Sequence, residues 1–220
     1  MKTALWLAIY FSVLIWSAID PHDYATWWLE VTPALIGLAI LVWTRKSYPL
    51  TPLLYILILI HSIILMVGGH YTYAEVPLFD WIRDALHQSR NNYDKLGHFA
   101  QGFVPAMIAR EILIRENVLK RVGWMNFIIV CICLAISAFY ELIEWWVAIL
   151  TGDSSSAFLG TQGYIWDTQS DMMFALVGAI VALVSLSRLH NLQIRELLIQ
   201  ISKQSWKSAN LTRKRKLKLS

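Results

Sequence analysis

The segment Tyr93–Ala109, YDKLGHFAQGFVPAMIA, places four polar side chains directly before a run of apolar residues. These polar residues are Asp94, Lys95, His98 and Gln101. Positions i, i+4 and i+7 share one face of an α-helix, so Asp94, His98 and Gln101 are predicted to lie together. The apolar remainder is typical of a helix inside a lipid bilayer. A membrane helix that begins with so much polarity requires polar partners from other helices.

The composition extends this interpretation to the whole chain. Of 220 residues, 57% are hydrophobic and only 15% are charged, and soluble domains of this length carry more charge. Six apolar segments approach the roughly 20 residues that a helix needs to cross the hydrocarbon core. They cover about residues 4–19, 27–44, 50–68, 98–114, 124–150 and 171–187. The sequence therefore predicts an all-α integral membrane protein, a bundle of six transmembrane helices within a membrane domain over residues 1–188.

The basic residues predict the orientation of this bundle. Sixteen of the nineteen Lys and Arg residues lie on the side of the membrane that carries both chain ends. The other side has only Arg83, Arg90 and Lys95. Cytoplasmic segments of bacterial membrane proteins carry the excess of Lys and Arg. Both termini are therefore predicted to be cytoplasmic, in a multi-pass membrane protein.

Two segments are predicted to lie outside the lipid core. Residues 75–90, EVPLFDWIRDALHQSR, have Pro77 at a helix start and apolar residues at helical spacing, which predicts an amphipathic helix on the outer leaflet. Residues 189–220 predict a cytoplasmic amphipathic helix followed by a disordered polybasic tail, TRKRKLKLS. The tail favours anionic membrane lipid as its partner, and no nucleic acid partner is expected.

Two later segments carry polar partners for the first. Residues 137–146, SAFYELIEWW, place Glu141 and Glu144 at i and i+3, on one helix face. Residues 166–179, WDTQSDMMFALVGA, place Asp167 and Asp171 at i and i+4. Both pairs fall at the outer end of their helices, as the polar start of residues 93–102 does. The three polar faces are predicted to meet, although Asp167 alone would also suit a helix cap.

The charge of this predicted cluster suggests a bound cation. Lys95 is the single positive charge against five acids, Asp94, Glu141, Glu144, Asp167 and Asp171. Such an excess near the lipid requires protonated acids, water or a bound cation. Carboxylates with one imidazole suit magnesium, manganese, calcium or zinc, so a divalent metal is the candidate cofactor. Its candidate ligands are His98, Glu141, Glu144 and Asp171.

A family resemblance rests on three blocks: residues 93–111, YDKLGHFAQGFVPAMIARE, residues 137–146 and residues 166–179. Together they resemble the YjdF-like family of bacterial inner-membrane proteins, a domain of unknown function, and the likeness spans roughly residues 10–190. More distantly, they are similar to VanZ-like membrane proteins, which are associated with glycopeptide-antibiotic tolerance. The resemblance implies site positions at Asp94, Lys95, His98, Glu141, Glu144, Asp167 and Asp171. It implies no substrate.

Three functions fit an acidic polar site open towards the periplasm. The first is binding of a lipid-linked or cell-envelope ligand, with or without a divalent metal. The second is a metal-dependent envelope hydrolase or transferase, in which a carboxylate acts as general base on metal-bound water. The third is a small ion-coupled transporter, in which Glu141 and Glu144 titrate. Clustering of the acids at one side, not at the midplane, disfavours the transporter.

Overall fold

A computed structural model describes residues 3–119, 121–151 and 162–217, and these ranges contain helices and no strand. The helices are α1 (Thr3–Ala18), α2 (Tyr24–Thr44), α3 (Pro52–Tyr71), α4 (Pro77–Ala85), α5 (Tyr93–Arg115), α6 (Val122–Thr151) and α7 (Asp167–Leu217). Four of them, α2, α3, α6 and α7, contain segments long and apolar enough to cross a membrane. This agrees with the predicted all-α membrane bundle.

Exposed apolar side chains cover the outside of the bundle. Trp43, Leu150 and Val184 are each more than four-fifths exposed. In a soluble monomer, apolar surface on this scale would be unusual, because large exposed apolar patches mark interaction surfaces. A surrounding of lipid chains satisfies these side chains, as the sequence predicts.

The core consists of two apolar clusters that share α3. The first packs α1, α2 and α3 around the buried side chains of Tyr10, Val31 and Met66. The second packs α3, α5, α6 and α7 around Leu54, Met107 and other buried residues. Helix α3 therefore connects an amino-terminal group of helices to a carboxy-terminal group.

Helices α5 and α7 approach each other so closely that their backbones touch. A Cβ atom added to Gly102 on α5 would overlap the backbone of Ala175 on α7. A Cβ atom added to Gly178 on α7 would likewise overlap the carbonyl oxygen of Phe99 on α5. Small residues permit this approach between membrane helices, where packing and polar contacts drive association. The approach brings the polar starts of α5 and α7 side by side.

Helices α5 and α7 begin about four or five residues earlier than the sequence predicts, and α7 ends much later. Helix α5 begins at Tyr93 instead of near residue 98, and α7 begins at Asp167 instead of near residue 171. Helix α7 then runs for 51 residues without a break between the predicted span and the cytoplasmic segment. The predicted disorder from residue 212 is wrong as far as Leu217, while residues 218–220 lie outside the described ranges. No Gly or Pro follows Gly178, and Lys, Arg and Leu are good helix formers.

The predicted surface helix is confirmed as α4, which begins at Pro77 as expected. None of its residues is buried, and Leu78 and Trp81 are more than three-fifths exposed. The helix contacts the bundle through Phe79, whose ring lies perpendicular to the Tyr93 ring at a centroid distance of 5.1 Å. Helix α4 therefore lies outside the bundle, next to the start of α5.

A buried ionic network closes the end of the bundle at which α3 begins. Glu111 of α5 is fully buried, and its Oε2 lies 2.9 Å from His190 Nε2 of α7. Arg115 Nη1 lies 2.9 Å from Glu111 Oε1. The backbone N–H and the hydroxyl of Thr51, which precedes α3, also donate to the Glu111 carboxylate. Glu111 therefore accepts a free N–H of the α3 amino terminus and joins three helices.

Candidate functional site

Lys95 lies at the centre of a polar cluster at the other end of the bundle, called the acidic end below. Its ammonium group lies 2.7 Å from Asp167 Oδ1 and 2.6 Å from Asp171 Oδ1, both on α7. It also lies 3.4 Å from Asp94 Oδ2 on its own helix. The lysine is 93% buried, so these carboxylates replace the water that it loses on burial.

Arg90, which precedes α5, joins this cluster although the sequence did not place it there. Its guanidinium lies 2.6 Å from Asp167 Oδ1 and 3.5 Å from Asp94 Oδ2. Its Cζ also lies 5.7 Å from the ring centroid of Tyr164, which precedes α7. Arg90 and Lys95 together therefore hold the starts of α5 and α7 to each other. In the sequence, Arg90 was only one of three basic residues on the predicted outer side, and nothing there distinguished it as a partner of the acids.

Asn91 supports Arg90 by joining three segments of chain. It is fully buried, and its side chain donates to Val76 O and to Asp80 Oδ1 near the start of α4. Its Oδ1 accepts from the backbone N–H of Tyr93 at the start of α5. Its backbone exchanges two hydrogen bonds of 2.9 Å with the side chain of Gln162. These bonds restrict the backbone next to Arg90.

His98 connects the Lys95 part of the cluster to the glutamates of α6. Its Nε2 lies 3.3 Å from Asp94 Oδ1 and 3.8 Å from Asp171 Oδ1. On the other side of the ring, Nδ1 lies 3.2 Å from Gln101 Oε1 and 3.9 Å from Glu141 Oε1. Asp94, His98 and Gln101 therefore share one face of α5, as the helical spacing predicted, and this face is directed towards α6 and α7.

Glu141 and Glu144 form the α6 part of the acidic end. Glu141 is 92% buried, and its Oε1 has no hydrogen-bond partner among the described residues. Glu144 is partly exposed. One nitrogen of His98 and one oxygen from each glutamate lie within 4.8 Å of one another. A second group at similar distances consists of Asp94, His98 and Asp171.

Glu30 of α2 brings a fourth helix to the cluster. It is 95% buried, and its Oε2 accepts a hydrogen bond of 3.2 Å from the Tyr140 hydroxyl of α6. The signal for this residue was present in the sequence, because an acid a few residues inside an apolar helix requires polar surroundings. Nothing in the sequence, however, predicts that α2 packs against α6.

The charges of the acidic end do not balance. Its six acids are Glu30, Asp94, Glu141, Glu144, Asp167 and Asp171, and its permanent cations are Arg90 and Lys95. All eight side chains that the sequence predicted are brought to this region by α5, α6 and α7. The cations contact the acids of α5 and α7, whereas the glutamates of α2 and α6 form no ion pair with Lys or Arg among the described residues.

An open groove of about 710 Å³ runs along the Lys95 side of the acidic end. Its polar lining consists of side chains that can donate hydrogen bonds: Gln88, Ser89, Arg90, Asn92, Lys95, Tyr164 and Ser170. Its apolar lining consists of Phe79, Leu96, Phe99 and Phe174. The lining of the groove therefore contains both hydrogen-bond donors and aromatic and aliphatic side chains.

Apolar helices of spanning length and a buried ionic cluster between them define a multi-pass membrane protein. Residues 2–192 match the family described as predicted membrane protein (DUF2238), and the chain belongs to that family. It is 54% identical over 183 residues to inner membrane protein YjdF of Escherichia coli (strain K12), an alignment that covers 83% of this chain and 88% of the relative. No solved structure matches the chain. The protein is thus a bacterial inner-membrane protein, and the similarity to VanZ-like proteins stays a prediction.

Proposed function

We propose that six helices cross the inner membrane, with both ends of the chain in the cytoplasm. The spans are α1, α2, α3, α5, α6 and the first part of α7, over about residues 171–187. The remainder of α7 is a cytoplasmic extension with a polybasic end. Support comes from the sixteen basic residues on one side against three on the other. In this orientation the acidic end faces the periplasm.

We propose further that the groove at the acidic end binds the headgroup of a lipid-linked or cell-envelope ligand. The observation that carries this proposal is the mixed lining of the groove, in which hydrogen-bond donors occur together with Phe99, Phe174 and Leu96. A ligand with a polar head and an apolar chain matches both kinds of lining side chain. The volume of the groove lies within the range of small-molecule binding sites.

The hydrogen-bond donors in the lining indicate the chemistry of the headgroup. Phosphate and sugar oxygens accept hydrogen bonds, and the side chains of Asn92, Tyr164 and Ser170 can donate them. Lys95 and Arg90 add charge-assisted donors, which are roughly twice as strong as neutral ones. The acids that contact these two cations hold them in place before a ligand arrives, so little side-chain entropy is lost on binding.

A photoreactive lipid tests the groove. The full-length protein is incorporated into nanodiscs with phosphatidylglycerol that carries a diazirine in its acyl chain, and labelled peptides are mapped by mass spectrometry. Ser170→Trp places an indole in the groove, and Ser185→Trp places one on the exposed face of the same helix. We expect labelling of residues 88–99 and 170–174 to fall at least threefold in Ser170→Trp only. Excess polyisoprenyl phosphate should compete for the same peptides.

The proposal would be contradicted if all lipid-facing helices were labelled equally and Ser170→Trp left this labelling unchanged. Competition by polyisoprenyl phosphate but not by unlabelled phosphatidylglycerol would identify a lipid-linked ligand. The reverse result would identify an ordinary phospholipid. Both variants are compared by size-exclusion chromatography, so that loss of folding is not mistaken for loss of binding.

A further inference from the structure

The two halves of the acidic end differ in how their acids are neutralised. On the Lys95 side, three aspartates contact two permanent cations at 2.6–3.5 Å. On the α6 side, Glu141 and Glu144 have only the His98 ring as a basic neighbour among the described residues. Two carboxylates one helical turn apart repel each other at the edge of the lipid. A bound cation would remove this repulsion, and the chain supplies no Lys or Arg for it within the described ranges.

The position of Glu141 indicates where a cation would bind. Its Oε1 is buried and accepts no hydrogen bond from the described residues, although it lies 3.9 Å from His98 Nδ1. Buried carboxylate oxygens in native proteins are hydrogen-bonded or bound to a metal, because the cost of removing them from water is otherwise not recovered. A cation between Glu141, Glu144 and His98 would satisfy this oxygen.

The distances suit a divalent cation. Two ligand atoms about 2.1 Å from one metal lie roughly 3–4 Å apart, depending on whether they are neighbours or opposite each other. The candidate atoms of His98, Glu141 and Glu144 lie within 4.8 Å of one another, so small side-chain rotations suffice. Gln101 Oε1, 3.2 Å from His98 Nδ1, provides a carbonyl oxygen at the same place.

Asp94 prepares the histidine for this role. When Nε2–H donates to Asp94 Oδ1 at 3.3 Å, the lone pair of Nδ1 is directed towards Glu141. Histidines that bind metals commonly donate their other N–H to a carboxylate, which fixes the tautomer and the ring orientation. The alternative group of Asp94, His98 and Asp171 is less suitable, because the Lys95 ammonium already lies 2.6 Å from Asp171 Oδ1.

We infer that His98 Nδ1, Glu141 and Glu144 form a site for one divalent transition-metal ion, with Gln101 as a further oxygen ligand. One imidazole and two carboxylates favour Mn²⁺ or Zn²⁺ over Ca²⁺ and Mg²⁺, which prefer oxygen ligands alone. The ion offsets both glutamate charges. This site is separate from the groove proposed above, and its existence does not depend on a lipid ligand.

Metal binding by the purified full-length protein tests this inference. The protein in detergent is treated with chelator, and Mn²⁺ or Zn²⁺ alone is added during calorimetric titration, with metal content measured by mass spectrometry. We expect about one ion per chain. Removing a residue that hydrogen-bonds to a metal ligand typically lowers metal affinity about 10–100-fold. Glu141→Gln and Glu144→Gln change the ligands themselves, so each should lower the affinity at least tenfold. Glu75→Gln, which changes an exposed acid near the same end, should not.

Thermal unfolding with and without metal provides a second measurement. Bound metal should raise the Tm of the wild type, EDTA should reverse the increase, and both glutamine variants should lose it. Ser170→Trp should keep the metal response, which separates this site from the groove. If Glu141→Gln fails to fold, Glu144→Gln decides the question, because Glu144 is only partly buried.

Two results would overturn the site. One is a wild type that binds less than a stoichiometric amount of either ion and whose Tm does not respond to metal or EDTA. The other is equal affinity in the wild type and in both glutamine variants, which would place the bound ion elsewhere. In either case Glu141 would be one member of an ion-pair network with His98.

Discussion

At the scale of single residues, the two ends of the bundle differ in the hydrogen bonds that a buried glutamate accepts. Glu111 accepts hydrogen bonds at both carboxylate oxygens, from Thr51, Arg115 and His190. Glu141 is buried to a similar degree, but its Oε1 has no hydrogen bond within the described residues. A carboxylate with both oxygens satisfied by the chain has a structural role, whereas one that lacks partners suits a ligand. This difference separates the structural end of the bundle from the candidate site.

Glu111→Ala is expected to destabilise the protein strongly. Removal of the carboxylate leaves Arg115 without its buried partner and the amino terminus of α3 without an acceptor. Breaking a buried ion pair by removing one partner costs about 3–5 kcal/mol. Thermal unfolding in detergent measures the change. Glu196→Ala, an exposed glutamate on α7, is the matched control and should have little effect. Equal stability of the two variants would contradict a structural role for Glu111.

Residues within one helix were predictable, and contacts between a loop and a helix were not. The spacing of Asp94, His98 and Gln101 follows from helical geometry alone. Arg90 lies in a loop and contacts Asp167 across 77 positions of sequence, so no periodicity relates them. Glu30 was recognisable as an acid inside an apolar helix, but its partner Tyr140 lies 110 positions away. Such pairs depend on which helices pack together.

At the scale of helices, the approach of α5 to α7 determines the candidate site. Lys95, near the start of α5, reaches Asp167 and Asp171, at the start of α7, because the glycines further along permit backbone contact. Helices separated by larger side chains would lie farther apart, since typical axial distances are about 8–10 Å. The ionic cluster and the glycine contact therefore depend on the same pair of helices.

Gly102→Ala is expected to separate α5 from α7. The added methyl group overlaps the backbone of Ala175, which cannot rotate away as a side chain would. Overpacking of this kind costs about 1–3 kcal/mol. Gly37→Ala on α2 is the matched control, because nothing lies within 4 Å of the added Cβ. Alanine there should leave stability unchanged or raise it slightly. Thermal unfolding of both variants is compared, and an equal response would exclude close packing at Gly102.

At the scale of the whole molecule, the long helices alternate in direction, so each side of the bundle contains the starts of some helices and the ends of others. The acidic end collects the ends of α2, α5, α6 and α7 that carry Glu30, Lys95, Glu141 and Asp171. The other end collects Thr51, Glu111 and His190. The basic residues of the sequence concentrate on the Glu111 side, which predicts that the acidic end faces the periplasm.

Fusion reporters test this orientation in cells. Alkaline phosphatase inserted at residue 156 should be active, because that position is expected in the periplasm. Green fluorescent protein fused after residue 218 should fluoresce, because the carboxy terminus is expected in the cytoplasm. The converse pair of fusions is the control for expression and should be inactive in both cases. Activity of the converse pair would reverse the orientation and place the acidic end in the cytoplasm.

The sequence by itself determined the helical membrane class, the surface helix at Pro77 and the eight polar residues of the candidate site. Apolar length and helical spacing are local properties, so they can be read along the chain. The tertiary structure alone decided that Arg90 and Glu30 join the site, and that Glu111 belongs to a separate network at the opposite end. It also decided how charge is shared, with Lys95 and Arg90 against the aspartates and Glu141 left to His98. Charge balance depends on distances between helices, which backbone contact at Gly102 and Gly178 sets.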